Sequence, residues 1–247
     1  MFNPKMPWNL PRKKDHFLSG SYITSDSEWR ALLDLAKQGD PDAEWGVADR
    51  YGDGCKDTTG KIVVKRSPRK AAVWFQRSAE HGCAPAQNGF GALLSRGQGI
   101  EKDVKKALFW FKKALHDESL RSMVASNIAI TYRENGNLRA AFRWFQKSAD
   151  LGDDDALVQV GIHYYWGKGV KKNPTAAIRC FRAATKGNNI CEFGRDDAFF
   201  FLGVANFEGQ GVKKSIPTAK RSFERANKDN DHPAAQKMLR MINQAKL

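Results

Sequence analysis

The sequence predicts an all-α fold, an α-solenoid of about five helix–turn–helix repeats with a capping helix at each end. The first observation is a recurring motif, in which an alanine is followed by an aromatic or equivalent residue at the third position and a phenylalanine at the fourth. Steps of 36, 34, 36 and 42 residues separate these phenylalanines. Periods of roughly 20 to 50 residues indicate supersecondary units that stack on their neighbours. The phenylalanines are Phe75, Phe111, Phe145, Phe181 and Phe223.

The second observation is a helical pattern of small and apolar residues before each of these motifs. In the fourth copy the pattern consists of Ala156, Val160, Gly161 and Tyr164. Offsets of four, five and eight residues place these side chains on one face of an α-helix, the first helix of the repeat. The five copies begin at Ala43, Ala86, Val124, Ala156 and Ala198.

Glycines between the two patterns predict the turn of each repeat. Gly97, Gly167 and Gly209 each follow a first helix, where glycine readily adopts the left-handed conformation that ends a helix. Pro174 and Pro217 stand where the second helix begins, and a first helical turn tolerates a missing amide donor. Helix, glycine turn and helix therefore form the repeat.

The chain outside the repeats predicts an arm and two caps. The boundaries are an extended or poorly ordered arm at 1–24, an N-terminal capping helix at 25–40, the repeat solenoid at 41–231 and a C-terminal capping helix at 232–247. Ser25 or Asp26 is the predicted N-cap of the first capping helix. The last capping helix is expected to turn Met238, Leu239 and Ile242 inward.

Three segments depart from the repeat, and we expect them to bulge or bend the stack. The first repeat has a long polar and β-branched loop, the third has a plain turn without paired glycines, and a long connection precedes the fifth. These segments are Cys55–Ser67, Asn135–Asn137 and Gly187–Cys191.

Composition and charge indicate the cellular compartment and the kind of partner to expect. The formal net charge of +14 favours solubility and acidic partners. The four cysteines lie at irregular spacings, whereas a secreted repeat protein would pair them within its units. No apolar stretch typical of a secretory signal follows the first charges. We therefore expect a reduced, cytoplasmic protein.

The combined motif resembles the Sel-like repeat, a relative of the tetratricopeptide repeat. The resemblance rests on an alanine, leucine and glycine helix face, a Gly-x-Gly-Val turn and a Lys-Ala-x-x-Trp-Phe second helix. It covers Pro41 to Asn230, and the copy from Ala156 to Gly187 is nearly complete. The resemblance implies a right-handed solenoid that acts as a non-enzymatic scaffold or adaptor and grips a protein partner in its concave groove.

Sequence motifs for chemistry are missing. The five histidines do not share a metal-binding spacing with each other, with cysteine or with a repeated acid. The Gly-x-Gly turns follow helices, whereas a dinucleotide-binding motif follows a strand. We therefore predict no catalytic residue, no cofactor and no metal.

In tetratricopeptide-like stacks the first helices line the concave side, so their outward positions are the predicted partner-binding residues. The aromatic residues at these outward positions are Trp45, Tyr165, Trp166, Phe200 and Phe207. The alternative is that some of them pack against the neighbouring repeat. The predicted groove residues are Trp45, Asp49, Asn88, Arg96, Arg133, Val158, Ile162, Tyr165, Trp166, Phe200 and Phe207.

Lysines and arginines concentrate on the second helices, which the resemblance places on the convex wall. This stripe is either a solvated face or a site for a polyanion. Nucleic acid is disfavoured, because base-stacking aromatic residues should interleave with the cations, and the repeat aromatics are expected to point into the core. Two other hypotheses remain beside the scaffold. They are a bacterial immunity protein that neutralises a cognate toxin, and an unfamiliar enzyme or nucleic-acid-associated regulator.

Overall fold

The computed structural model describes residues 25–57 and 59–244 of the 247-residue chain. The predicted arm at 1–24 and the end of the last predicted cap, at 245–247, lie outside the described residues. Within the described part the chain forms twelve α-helices, one 3-10 turn and one pair of short strands. The helices are α1 Asp26–Lys37, α2 Pro41–Asp53, α3 Pro68–Glu80, α4 Ala84–Arg96, α5 Val104–Ala114, α6 Arg121–Glu134, α7 Leu138–Asp150, α8 Asp154–Trp166, α9 Pro174–Ala184, α10 Glu192–Glu208, α11 Ile216–Ala226 and α12 Pro233–Gln244.

The chain divides into two compact units. Among the described residues, unit 1 consists of 25–57 and 59–83 with Gln98–Ile100, and unit 2 consists of Ala84–Gly97 with 101–244. Unit 1 contains α1 to α3, and unit 2 contains the hairpins α4–α5, α6–α7, α8–α9 and α10–α11, followed by α12.

Unit 1 is built around α2, which packs on both α1 and α3. Ala36 and Val47 are fully buried between α1 and α2, and the rings of Trp29 and Tyr51 meet edge to face at 5.5 Å. A buried carboxylate joins α2 to α3, because Glu44 is inaccessible to solvent and forms an ion pair with Arg77. Burial of a charge is tolerated only when such partners replace the lost water.

The long loop of the first repeat contains a small antiparallel hairpin, a feature that the sequence analysis did not predict. Strand β1, Cys55–Lys56, pairs with strand β2, Ile62–Val64. The side chain of Asp57 accepts hydrogen bonds from the amide and hydroxyl of Thr59 and from the amide of Lys61, which fixes the turn. The β-branched residues of β2 then favour the extended conformation.

In unit 2, each second helix inserts its repeat phenylalanine against a small residue of its own first helix. Phe111, Phe181 and Phe223 are almost fully buried. A Cβ atom added to Gly161 would lie 2.5 Å from Cε1 of Phe181, so no side chain fits between the two helices there. The small residue of the pattern thus makes room for a phenylalanine of the same hairpin.

One backbone hydrogen bond recurs in the turns of all five repeats. In the fourth repeat the amide of Asn173, the N-cap of α9, donates to the carbonyl of Tyr164 over 2.8 Å. Gly167 ends α8 with φ of +68°, the left-handed conformation that the sequence predicts. The same bond joins the equivalent residues of the other repeats. These pairs are Ser67 to Tyr51, Asp103 to Leu94, Asn137 to Tyr132 and Ser215 to Asn206.

The connection before the fifth repeat is held by two carboxylates at the start of α8. Asp154 accepts the amide of Asn189, and Asp155 accepts the amide of Cys191. At the end of unit 2, α12 buries Met238 and Ile242. The chain therefore ends its described part on an amphipathic helix that packs on α11.

Candidate protein-interaction surface

The first helices do not expose all the side chains that the sequence analysis placed in the groove. Asn88, Val158, Tyr165 and Phe200 are at most 4% exposed. The prediction that these four line an open groove is therefore wrong, and the alternative of packing against a neighbouring repeat is correct for them.

Contacts between neighbouring elements explain why these side chains are buried. Asn88 accepts a hydrogen bond from the side-chain amide of Asn127 on the next first helix, over 2.9 Å. The hydroxyl of Tyr165 donates to Glu208 of α10 over 2.7 Å. Phe200 stacks on His232, just before α12, with ring centroids 5.0 Å apart. In each case the partner lies in the following repeat or at the start of the final cap, and a single repeat does not reveal it.

The other predicted groove residues keep access to solvent. Arg96 is exposed at the end of α4, and Arg133, Ile162, Trp166 and Phe207 are half-buried in α6, α8 and α10. In unit 1, Trp45 and Asp49 are half-buried on α2. Whether these residues bind a partner stays a prediction.

The accessible residues of unit 2 define a candidate surface, which we call the first-helix surface. It consists of Ile130, Arg133, Ile162, Trp166 and Phe207. Its helices are adjacent, because α8 contacts α10 directly and the Tyr165–Glu208 bond joins their C-terminal ends. The ring of Trp166 meets that of Tyr165 edge to face at 5.1 Å, so a buried residue holds the indole.

Polar groups beside the first-helix surface are also held in place. Arg133 donates from Nη1 to Oε1 of Gln159 over 2.8 Å, which joins α6 to α8. The side-chain amide of Gln210 donates to Glu208 over 2.8 Å. Apolar anchors surrounded by oriented polar groups are the arrangement by which proteins recognise other proteins.

Two first helices of unit 2, α8 and α10, are acidic toward their N-terminal ends, away from Trp166 and Phe207. On α8 and α10 six carboxylates stand against the single cation Arg195. The pKa of Asp196 is raised to about 6, chiefly by burial and in part by the neighbouring carboxylates of Asp231, Glu192 and Asp229, against the lowering effect of His232. The N-terminal ends of α8 and α10 therefore disfavour an acidic ligand.

In unit 1 the predicted groove residue Asp49 has an unusual environment. Burial raises the pKa of its carboxyl group to about 6, and the nearby Asp53 adds to the effect. Arg50, whose Nη1 lies 3.7 Å from Oδ2 of Asp49, lowers the pKa but does not cancel the rise.

The remaining titratable side chains of unit 2 have structural roles. His163 is buried, which lowers the pKa of its imidazole, and Nδ1 donates to the carbonyl of Lys168 in the glycine turn over 2.6 Å. Among the described residues the four cysteines, including Cys180, form no disulfide bond. Within 25–57 and 59–244 no group of three or more His, Cys, Asp or Glu side chains could hold a metal ion. In the same ranges no helix is both long and apolar enough to span a bilayer.

The geometry and the repeat pattern agree with a known family. The Sel1 repeat family matches residues 41–83, 84–116, 133–153, 154–189 and 197–231, more than half of the chain. The chain belongs to the Sel1 repeat family. This membership confirms the resemblance drawn from the sequence motif and, with the helices above, the predicted all-α repeat fold. Sel1 repeats are typically non-catalytic scaffolds for protein–protein interaction.

Solved structures of other Sel1 and tetratricopeptide repeat proteins share the fold. The protective antigen c5321 of uropathogenic Escherichia coli strains aligns with a TM-score of 0.69 and 22% identity over 86% of this chain and 43% of its own. The chain thus spans less than half the length of that antigen. A Sel1 repeat protein from Oxalobacter formigenes aligns with a TM-score of 0.68 and 23% identity over 88% of this chain and 82% of its own. YrrB, a tetratricopeptide repeat protein with an unusual peptide-binding site, gives a TM-score of 0.53 and 17% identity over 88% of this chain and 98% of its own.

Sequence reasoning missed the polar residues that join neighbouring repeats. Gln159 and Glu208 were not among the predicted site residues, yet they hold Arg133 and Tyr165. Their positions in the sequence could have indicated this role, because each lies on a first helix, one residue after the predicted groove positions Val158 and Phe207. Polar side chains there are placed to reach across to the adjacent first helix.

Proposed function

We propose that this protein is a non-enzymatic interaction scaffold that binds a segment of a protein partner on the first-helix surface of unit 2. The observation that carries the proposal is the set of half-buried apolar side chains, Ile162, Trp166 and Phe207, on two adjacent first helices. Aromatic residues that are already partly ordered bind with a small entropic cost and are frequent binding hot spots.

The charge of this surface favours a particular kind of segment. Both signs of charge stand beside the anchors, because Nζ of Lys214 lies 5.9 Å from the ring centroid of Phe207 and Glu208 accepts a hydrogen bond from the hydroxyl of Tyr165. Opposite charges on partner surfaces increase the association rate and exclude wrong partners. A segment with apolar anchors and charged side chains of both signs therefore fits this surface.

The test compares partner recovery from a native lysate. The double variant Trp166→Ala and Phe207→Ala removes two anchors from the first-helix surface. Its matched control, Phe109→Ala and Phe193→Ala, removes two exposed aromatic rings from elsewhere in unit 2. Loss of two hot spots should reduce recovery of a partner by at least about tenfold.

Circular dichroism first establishes that both variants are folded. Equal recovery with the wild type and both variants would exclude the first-helix surface as the binding site. Identification of the recovered partner by mass spectrometry also tests the immunity hypothesis, since a secreted toxin would give the scaffold that role.

A further inference from the structure

In unit 2, lysines and arginines are concentrated on the second helices. On α5, α7, α9 and α11, twelve lysines and arginines stand against two carboxylates, Asp150 and Glu224. On the first helices of the same unit, four lysines and arginines stand against seven carboxylates. The two sets of helices therefore present opposite charges, and the scaffold function of the first-helix surface does not use the basic set.

Three arginines occupy one repeat position on successive second helices. Arg143, Arg179 and Arg221 each lie two residues before the repeat phenylalanine, on α7, α9 and α11, and all three are exposed. We call them the arginine row. The first two repeats have Val73 and Phe109 at this position, so the row is particular to the last three repeats.

The arginine row makes no hydrogen bond or ion pair with the residues that the structure describes. The exposed side chain of Arg121, in contrast, pairs with Glu118 over 2.8 Å. Arg143 and Arg221 also have a like charge one helical turn away, at Arg139 and Arg225, which is unfavourable in the free protein. An anionic ligand would relieve this repulsion.

The row ends beside an open recess between α10 and α11. The recess has a volume of about 640 Å³, and Arg221 and Arg225 line it. The guanidinium carbon of Arg225 lies 5.4 Å from the ring centroid of Phe199, another lining residue. Four carboxylates, among them Asp196 and Glu224, line the same recess. Its walls thus offer both signs of charge and an aromatic face.

We propose that the arginine row and the adjoining recess of unit 2 form a second docking surface, which binds an acidic segment of a protein partner. Guanidinium groups bind carboxylates in a bidentate geometry that lysine cannot provide. A polypeptide can place acidic side chains on the row and basic or apolar ones in the recess, whereas a nucleic acid backbone would meet repulsion from the four carboxylates. On α7, α9 and α11 the described residues also lack a fully exposed aromatic ring on which a base could stack.

The test uses fluorescence anisotropy with a labelled Glu-rich peptide of about 20 residues, the length that a standard interface contacts. The row variant is Arg143→Gln, Arg179→Gln and Arg221→Gln. The control variant, Lys186→Gln, Lys237→Gln and Arg240→Gln, removes the same number of exposed charges from elsewhere in unit 2. Neither change removes a described contact, so both variants should fold.

We expect the row variant to bind the peptide about tenfold more weakly, since three exposed ion pairs of modest strength are lost together. The control should weaken binding less than about twofold, through net charge alone. An equal loss in both variants would overturn the proposal in favour of unspecific attraction. Tighter, row-dependent binding of a random-sequence DNA duplex at the same salt concentration would overturn it in favour of nucleic acid.

Discussion

Replacement of Gly161 by alanine tests the packing rule of the repeat most sharply. The new Cβ atom would lie 2.5 Å from Cε1 and 2.8 Å from Cδ1 of Phe181, whereas ordinary contacts begin at 3.4 Å. Phe181 is fully buried and stacks on Phe201 at 5.3 Å, so its ring has no free space into which it could move. Overpacking of this kind costs about 1–3 kcal/mol, and the better helix propensity of alanine offsets about 1 kcal/mol. The expected net effect is a destabilisation of up to about 2 kcal/mol.

Urea denaturation followed by circular dichroism measures this effect. The matched control is Gly46→Ala on α2, where the added Cβ would lie 3.4 Å from Cδ1 of Leu32, an ordinary contact. The control should be neutral or more stable by up to about 1 kcal/mol, because only helix propensity changes. A stabilised Gly161→Ala protein would refute the reasoning that the phenylalanine of the hairpin requires a residue without a side chain there.

Three further variants test other contacts. Asp49→Asn removes a carboxyl whose pKa is raised from 3.8 to about 6. The wild type should therefore lose stability as the pH rises from about 4 to about 6. At pH 7–8 the free energy of unfolding of the variant, from urea denaturation, should exceed that of the wild type by up to about 3 kcal/mol. Tyr165→Phe removes the hydrogen bond to Glu208 and should cost about 1–2 kcal/mol in thermal unfolding, and an unchanged midpoint would show that the bond contributes nothing. Arg77→Ala takes a cation from the buried carboxylate of Glu44, which keeps its contact to Nδ1 of His81 at 2.7 Å, and should cost about 1–3 kcal/mol by urea denaturation. A loss below about 0.5 kcal/mol would contradict the buried ion pair.

The helices and turns of the repeat were predictable from the sequence because they depend on local patterns. The structural effects of Gly167 and Gly161 are confined to one hairpin, so the local sequence pattern is enough to predict them. The exposure of first-helix side chains was not predictable in this way, because it depends on the following repeat. Tyr165 and Phe207 occupy equivalent repeat positions, yet Glu208 and its helix bury the first, and the second keeps access to solvent.

The charge distribution could be read from the sequence only in part. The concentration of lysines and arginines on second helices was visible, and it is present in the structure. The sequence did not show that Arg143, Arg179 and Arg221 form no ion pair with the described residues, since pairing depends on side-chain geometry. Nor did the total charge reveal that α8 and α10 are acidic, because opposite charges on separate helices cancel in a sum over the chain.

Hydrogen–deuterium exchange of the protein with and without a recovered partner tests the central claim most directly. A partner bound to the first-helix surface should slow exchange in α8 and α10, around Trp166 and Phe207, and should leave α7 and α9 unchanged. Slower exchange confined to the second helices, or no change in α8 and α10, would contradict the assignment of partner binding to the first-helix surface.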